Sequence, residues 1–187
     1  MAMRQATHDW TVERLHRIPD DGQRYEIIDG ELFVTPSPAP RHQYVAVELL
    51  VCLVSYCRTA GLQALTAPAD VIVSEDTLVQ PDVFVVPMDA SGRPPGTYEE
   101  FGRPVLVIEV LSPSTTRTDR DRKRRLYQEM RVPEYWIIDT PARTLERWLP
   151  ESREAEVLHE AIEWQPVAGR DALVINLVML FRHVYGD

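Results

Sequence analysis

One carboxylate and one ammonium group occur where the surrounding sequence predicts a protein interior. The carboxylate is Glu109, which interrupts an otherwise apolar, β-branched run from Val105 to Leu111. Such a run is typical of a central strand covered on both faces. A carboxylate there must be paired, protonated or bound to a metal ion, because burying a lone charge is costly. The alternative is that Glu109 lies at the fraying end of the strand and meets water.

The ammonium group belongs to Lys123, the only lysine among the twenty Lys and Arg residues. Hydroxyl residues after Ser112 predict the start of a helix from about Thr118 to Arg131, and Pro133 closes it. Helical spacing predicts an inward stripe made of Asp119, Lys123, Leu126, Tyr127 and Met130. A lysine is a compact charge that can exchange protons, whereas an arginine stays charged. Lys123 is therefore either a functional ammonium group or one lysine left by chance in an arginine-rich chain.

A third ionisable residue, Asp82, follows Pro81 and precedes the apolar run from Val83 to Val86. Proline is tolerated at a strand start, where its missing donor costs little. A Pro-Asp pair alone is a weak signal, but the chain order places Asp82 and Glu109 on adjacent strands of one mixed sheet, with the Lys123 helix over them. Two convergent carboxylates suit Mg²⁺, and a nearby lysine can orient or deprotonate a metal-bound water. This combination fits phosphodiester hydrolysis.

Two more polar residues lie in a hairpin and a helix that the sequence predicts near the N-terminus. Glu26 lies in the first arm of a β-hairpin that turns at Asp29-Gly30. It could point towards the same pocket as Glu109 or form the polar side of an edge strand. His42 lies in the first turn of a helix predicted from Arg41 to Ala60, where we expect it to cap a neighbour rather than contact a site.

The composition limits the possible functions. The chain has 187 residues, 44% hydrophobic and 26% charged, which predicts one globular domain with a sizeable core. The formal net charge of -9 argues against indiscriminate binding to nucleic acid, although it leaves room for a local basic groove. The best candidate groove, which a solvated helix face explains equally well, is formed by Arg117, Arg120, Arg122, Lys123, Arg124 and Arg125.

Three further sequence features concern the cellular location of the protein, its cysteines and one polar segment. The sequence has no apolar run of about eighteen residues, and its first ten residues lack the apolar centre of a signal peptide, which predicts a cytoplasmic protein. Cys52 and Cys57 lie in one apolar helical segment without a second pair for a zinc site, so we expect two buried thiols. The polar segment from Glu151 to Gly169 has no pattern that predicts its structure.

Several ordered motifs carry a family resemblance. They are Arg24 to Leu32, Pro38 to Gln43, Val79 to Asp82, Val107 to Thr115, Asp119 to Lys123 with Tyr127, and Val132 to Trp136. Together they resemble the Uma2 family of the restriction-endonuclease-like PD-(D/E)XK superfamily, from about Trp10 to Trp148 and more loosely to Phe181. The resemblance implies a mixed α/β (α+β) fold, in which helices flank a restriction-endonuclease-like central mixed sheet and a β-hairpin lies near the N-terminus. It further implies a single domain over residues 1–187.

The resemblance also implies roles for individual residues. Asp82 and Glu109 are expected to bind Mg²⁺, or Mn²⁺ in its place, with the Val110 carbonyl as a third ligand. The chain departs from the superfamily pattern at Leu111, where a lysine is expected two residues after Glu109. Lys123 would then reach back from the following helix as a migrated catalytic lysine. Glu26 matches the Tyr-Glu motif of the family and is implied as an auxiliary catalytic residue.

The implied activity is that of a metal-dependent endonuclease that hydrolyses nucleic-acid phosphodiester bonds. DNA is the expected partner, no membrane is involved, and a homodimer is an option because the hairpin and C-terminal elements offer apolar surface. A different class of function is a catalytically silent nuclease-fold module that binds or regulates. The intact polar residues argue against that class, and the acidic net charge argues mildly for it. A third option is a hydrolase for small phosphoesters.

Overall fold

The computed structural model describes residues 9–35, 37–93, 96–97 and 100–187. The first eight residues, part of the segment without a signal-peptide pattern, lie outside the described residues. The helices are α1 (Val12–Leu15), α2 (Pro40–Ala60), α3 (Arg124–Glu129) and α4 (Leu177–Tyr185), and a π-helical segment, Thr118–Lys123, leads directly into α3. The strands in chain order are β1 (Arg24–Ile28), β2 (Glu31–Thr35), β3 (Leu62–Thr66), β4 (Val71–Ser74), β5 (Thr77–Val79), β6 (Val83–Pro87), β7 (Leu106–Val110), β8 (Glu134–Asp139), β9 (Thr144–Trp148), β10 (Glu156–Leu158), β11 (Ala161–Trp164) and β12 (Leu173–Asn176).

The central element is a mixed six-stranded sheet with the strand order β10-β9-β8-β7-β6-β3. Strands β7 and β8 are parallel, and the other neighbouring pairs are antiparallel. All five residues of β7 are buried, which confirms the prediction of a central strand covered on both faces. Glu109 is only 3% exposed, so the alternative of a fraying end in water is wrong.

Side chains alternate between the two faces of this sheet. On one face, Ile108 and Trp136 pack in a core with α2 and α4. On the other face, Val107 and Ile137 pack with α3 and with the second sheet. Residues two apart share a face, so Glu109 lies on the same side as Val107, under α3 and the π-helical segment.

The N-terminal hairpin belongs to a second sheet with the strand order β2-β1-β5-β4. Its turn residues Asp29 and Gly30 have φ angles of 52° and 74°, and two positive φ angles are what a tight type I′ hairpin turn requires. Strand β1 lies between β2 and β5, so Glu26 is not on an edge strand, and its side chain is buried. The hairpin prediction is therefore confirmed, whereas the edge-strand interpretation of Glu26 is wrong.

The chain crosses between the two sheets just before β6. Strand β5 ends at Val79 and β6 begins at Val83, with Gln80, Pro81 and Asp82 between them. Pro81 has no backbone N–H, so a strand ladder cannot continue regularly through it. This crossing places Asp82 at the junction of the two sheets, directly before the strand that pairs with β7.

The predicted helix over Thr118–Arg131 is present, but its first part is π-helical rather than α-helical. A π-helical turn is wider than an α-helical one and often occurs at functional sites. Asp119, Lys123 and Tyr127 are each at most 2% exposed, which confirms that they face inward.

Other local predictions have mixed outcomes. Helix α2 begins with Pro40 and ends before Gly61, which has a φ of 72° and caps it in the left-handed conformation. Cys57 is buried as predicted, whereas Cys52 is only half-buried, and both thiols are free. The polar segment without a predicted structure contains β10 and β11. Among the helices of the described ranges, none has both the length and the apolar character of a membrane span.

A large-to-small substitution tests the packing of α2 on the sheet. Leu49 is fully buried in the core, whereas Val51, two residues along the same helix, is 64% exposed. Because Leu49→Ala leaves a cavity, we expect it to lower the free energy of unfolding by roughly 2–5 kcal/mol in urea denaturation. Val51→Ala is the control and should change it by less than about 0.5 kcal/mol. Equal effects of the two substitutions would contradict this packing.

Candidate functional site

A pocket of about 200 Å³ opens where the two sheets meet the π-helical segment. The predicted site residues Glu26, Asp82, Glu109 and Lys123 all line it. The other lining residues are Arg24, Thr35, Ser37, Pro38, Ala39, His42, Ser112, Pro113, Ser114, Thr115 and Asp119. Residues far apart in sequence therefore meet in one place, contributed by both sheets, by α2 and by the segment after β7.

Strand register explains why the two predicted metal ligands are neighbours. Val83 on β6 pairs with Ile108 on β7 in antiparallel register. Continued by one residue, that register places Asp82 opposite Glu109 on the face covered by α3. The Val110 N–H donates to Asp82 Oδ2 at 2.9 Å, which fixes Asp82 beside the end of β7.

The ammonium group of Lys123 lies among three carboxylates. Its Nζ donates to Glu26 Oε1 at 2.8 Å and to Glu109 Oε1 at 2.9 Å, and it is 3.8 Å from Asp119 Oδ1. The Tyr127 hydroxyl also donates to Glu109 Oε1, at 3.4 Å. All of these side chains are buried, so the ion pairs are shielded from water.

The charge state of Lys123 follows from this environment. Burial lowers the pKa of the ammonium group, but the carboxylates of Glu109, Glu26 and Asp119 outweigh burial and raise the pKa well above its ordinary value. Lys123 is therefore protonated at neutral pH. It acts as a charged hydrogen-bond donor, and the option that it deprotonates a water is disfavoured.

Asp82 is held by three donors. Its Oδ2 accepts the Val110 N–H and lies 3.0 Å from His42 Nε2, and its Oδ1 accepts from Arg24 at 3.0 Å. Burial raises the pKa of this carboxyl group, but the hydrogen bond from His42 and the charges of His42 and Arg24 outweigh burial and hold the pKa below its usual range. Asp82 is therefore ionised. The expectation that His42 would only cap a neighbour is wrong, because it contacts the site.

The pocket holds more acids than permanent cations. Four buried carboxylates, which we call the four site acids, face two permanent cations, Arg24 and Lys123. Burial raises the pKa of two of these acids, that of Glu109 well above its ordinary value and that of Asp119 to about 6, although Lys123 opposes the rise. A divalent cation would offset this excess of acids over cations. The four site acids are Glu26, Asp82, Glu109 and Asp119.

The carboxylate oxygens in the pocket suit Mg²⁺ better than a metal ion whose ligands must all come from protein side chains. In the part of the chain that the structure describes, no three His, Cys, Asp or Glu side chains form a metal-binding group. Mg²⁺ is commonly bound by one or two carboxylates and keeps several waters. Both hydrogen bonds to Glu109 end on Oε1, so within the described ranges Oε2 accepts none. Asp82, directly before β6, and Glu109 on β7 could therefore hold such an ion between them.

Sequence reasoning missed Arg24, His42 and Asp119 as members of the site. Arg24 is two residues before Glu26 on β1, so strand alternation could have placed both side chains on one face. Helical spacing predicts that Asp119 faces inward, but it does not indicate that Asp119 belongs to the site. The direction of His42 had no signal in the sequence beyond its motif.

The predicted basic cluster is largely engaged within the chain. Arg120 pairs with Asp139 at 3.0 Å, and Arg122 with Glu31 at 3.3 Å. Lys123 is buried in the pocket, whereas the side chain of Arg117 is 97% exposed. Most of this cluster therefore stabilises the helix on the sheets instead of forming a continuous basic groove.

Comparisons with known proteins agree with the motif resemblance. Residues 12–177 match the Uma2 family, described as "Putative restriction endonuclease". An uncharacterized protein of Synechocystis sp. is 30% identical over 108 residues, which is 56% of this chain and 54% of that protein, so the match spans about half of that relative. A crystal structure of "a putative nuclease belonging to DUF820" from Anabaena variabilis has the same fold, with a TM-score of 0.75 and 19% identity over 94% of this chain and 99% of that chain.

Asp119 allows a direct test of the electrostatics of the pocket. Its pKa is raised from 3.8 to about 6, so the ionised carboxylate lowers the free energy of unfolding at neutral pH. This loss of stability becomes smaller as the pH falls from about 6 towards 3.8, because Asp119 becomes protonated in the folded protein. We expect Asp119→Asn to raise the free energy of unfolding by up to roughly 3 kcal/mol near pH 8 and by clearly less near pH 4.5. Urea denaturation at both pH values measures this difference.

The matched control is Asp121→Asn, because Asp121 lies on the same π-helical segment with its side chain 54% exposed. It should change stability little at either pH. A loss of stability in Asp119→Asn near pH 8 would contradict the excess of acids over cations in the pocket.

Proposed function

The chain belongs to the Uma2 family, and from that premise we propose that it is a metal-dependent endonuclease that hydrolyses phosphodiester bonds, with DNA as its substrate. The observation that carries the proposal is the pocket in which Asp82, directly before β6, lies opposite Glu109 on the adjacent strand β7, with Lys123 Nζ 2.9 Å from Glu109. Two acids and an ammonium group in one buried pocket are what metal-assisted phosphodiester hydrolysis needs.

Asp82 and Glu109 would hold the ion, Mg²⁺ or in its place Mn²⁺, with the Val110 carbonyl as a third ligand. When bound there, such an ion supplies polarisation of a phosphoryl oxygen and a lower pKa for a bound water. The Val110 N–H and His42 keep Asp82 in place through its Oδ2 atom. These contacts orient the Asp82 carboxylate as a metal ligand, as is usual at metal sites.

Lys123 contributes as a fixed positive charge in a buried position. Its ammonium group orients the attacking water and stabilises the negative charge that develops on the phosphoryl oxygens. Glu26 keeps the ammonium group in position, because its Oε1 accepts from Lys123 and also from the Gln80 N–H at 2.6 Å. Glu26 is therefore an auxiliary residue that acts through Lys123.

The size of the pocket is compatible with the entry of one phosphodiester group from a nucleic-acid strand. Its volume of about 200 Å³ lies below the range of roughly 300–1,000 Å³ that is usual for small-molecule sites. A phosphodiester group of a strand can enter while the rest of the strand remains outside. The hydroxyls of Ser112, Ser114 and Thr115 line the wall and could donate to phosphate oxygens.

A nuclease-fold module without turnover is the second candidate. One observation favours it: Arg24 and Lys123 already pair with acids of the pocket, so the chain partly compensates its own buried charge. Such a module would bind nucleic acid with similar affinity with and without a divalent ion and would not cleave it.

Three isosteric or near-isosteric substitutions test the proposal. We expect Asp82→Asn, Glu109→Gln and Lys123→Met each to lower the rate of Mg²⁺-dependent cleavage of circular DNA by about 100-fold or more, because the first two remove a proposed metal ligand and the third removes the ammonium group. Gel assays with Mg²⁺, Mn²⁺ or a chelator measure the rates, with single-stranded DNA and RNA as further substrates.

Asp121→Asn is the control and should cleave like the wild type, because Asp121 is not among the residues that line the pocket. Thermal unfolding shows whether each variant is folded, which matters most for Lys123→Met, since it leaves buried acids without their cation. A wild type that binds DNA but cleaves nothing would support the silent module, and cleavage by all three variants at the wild-type rate would exclude this site.

A further inference from the structure

Arg24 reaches the pocket from the second sheet. It is the first residue of β1, and its side chain is 17% exposed. One amino group, Nη1, donates to Asp82 Oδ1 at 3.0 Å, and the other, Nη2, donates to the carbonyl oxygen of Gln80. The guanidinium group therefore lies directly on one of the two acids proposed to hold the metal ion.

The contacts of Asp82 leave one carboxylate oxygen, Oδ1, for which Arg24 and a metal ion would compete. Oδ2 already accepts the Val110 N–H and lies within hydrogen-bond distance of His42 Nε2. Oδ1 is therefore the oxygen on which a cation can bind, and Arg24 occupies it. A guanidinium group and a divalent cation on the same carboxylate oxygen repel each other strongly in a buried pocket.

We propose that Arg24 exchanges its partner: it pairs with Asp82 in the metal-free protein and binds the scissile phosphate once Asp82 binds a divalent cation. This inference rests on the proposed function, and it assigns a substrate contact to a residue that the metal-binding scheme does not use.

The chemistry of the guanidinium group supports this exchange. An arginine that loses its carboxylate in a buried pocket needs another anion, because an unpaired buried charge is costly. A phosphodiester carries one negative charge, and two of its oxygens match the planar fork of a guanidinium group. The bond from Nη2 to the Gln80 carbonyl provides an anchor at the pocket while the other amino group changes partner.

Arg24 also has an unused donor. Its Nε is buried and has no hydrogen-bond acceptor among the described residues. When an arginine serves only to stabilise the fold, its buried N–H groups are usually all hydrogen-bonded, because each buried donor without an acceptor costs roughly 1–3 kcal/mol. A small rotation towards a phosphate would provide the missing acceptor. The pairing with Asp82 is therefore incomplete in a way that an incoming anion can correct.

The test measures metal affinity separately from cleavage. We expect Arg24→Gln to bind Mn²⁺ about tenfold more tightly than the wild type in isothermal titration calorimetry without nucleic acid, because its competitor for Asp82 Oδ1 is gone. The same variant should cleave DNA about 100-fold more slowly and bind a labelled DNA duplex more weakly in the presence of Ca²⁺, which takes the same oxygen ligands. Tighter metal binding together with slower cleavage is the signature of the exchange.

Two further variants sharpen the result. Arg24→Lys keeps the charge but not the fork, so it should bind Mn²⁺ like the wild type and lose part of the cleavage rate. Arg17→Gln is the control, because it removes an arginine whose ion pair with Glu13 is exposed and which does not line the pocket. It should match the wild type in metal affinity and cleavage.

Each outcome decides a different part of the inference. Unchanged or weaker Mn²⁺ binding by Arg24→Gln would show that Arg24 supports Asp82 instead of competing for it. Tighter binding with unchanged cleavage would exclude the phosphate contact. A wild type that binds Mn²⁺ but cleaves no nucleic acid would overturn the proposed function, whereas the change in metal affinity would still decide the competition. A wild type that binds no Mn²⁺ would overturn both.

Discussion

The buried ion pairs of Lys123 are the interaction on which the rest of the site depends. The ammonium group joins Glu26 on the hairpin to Glu109 on the central strand and approaches Asp119 on its own helix. Removing one partner of a buried pair typically costs several kcal/mol, because it leaves the other charge uncompensated. Three separate elements are therefore held together by one cation, and their relative positions define the pocket.

This arrangement stabilises the site only partly, because four buried carboxylates outnumber the two permanent cations. The fold holds the acids close in spite of that repulsion: strand register places Asp82 opposite Glu109, and the π-helical turn directs Asp119 and Lys123 inward. A chain under selection for stability alone would replace such acids with apolar residues, which are often equally or more stabilising. The excess of acids over cations is more readily explained by a cationic ligand than by structural need.

Much of this could be predicted from local patterns, because the strongest patterns coincide with the core. An acid inside a continuous apolar strand, a single lysine on an inward helical stripe and an Asp-Gly turn each predicted a feature that the structure contains. Strand alternation could place Arg24 on the same face as Glu26, but its contact with Asp82 and that of His42 could not be predicted, because both cross between elements whose relative placement the sequence does not encode locally. The π-helical turn was also missed, since residues four apart, such as Asp119 and Lys123, share a face in an α-helix and in a π-helical turn alike. Strands β10 and β11 lie in a polar segment and have only three and four residues, which is too short for a period to be recognised in the sequence.

The most direct test of the central claim, that Asp82 and Glu109 form a metal site with Lys123 beside it, is anomalous diffraction from crystals soaked in Mn²⁺. We expect an anomalous peak within coordination distance of carboxylate oxygens from both Asp82 and Glu109, with the Lys123 ammonium group still in contact with Glu109. A fully soaked crystal with no peak in this pocket, or with its peak on other residues, would show that Asp82 and Glu109 do not form a metal site.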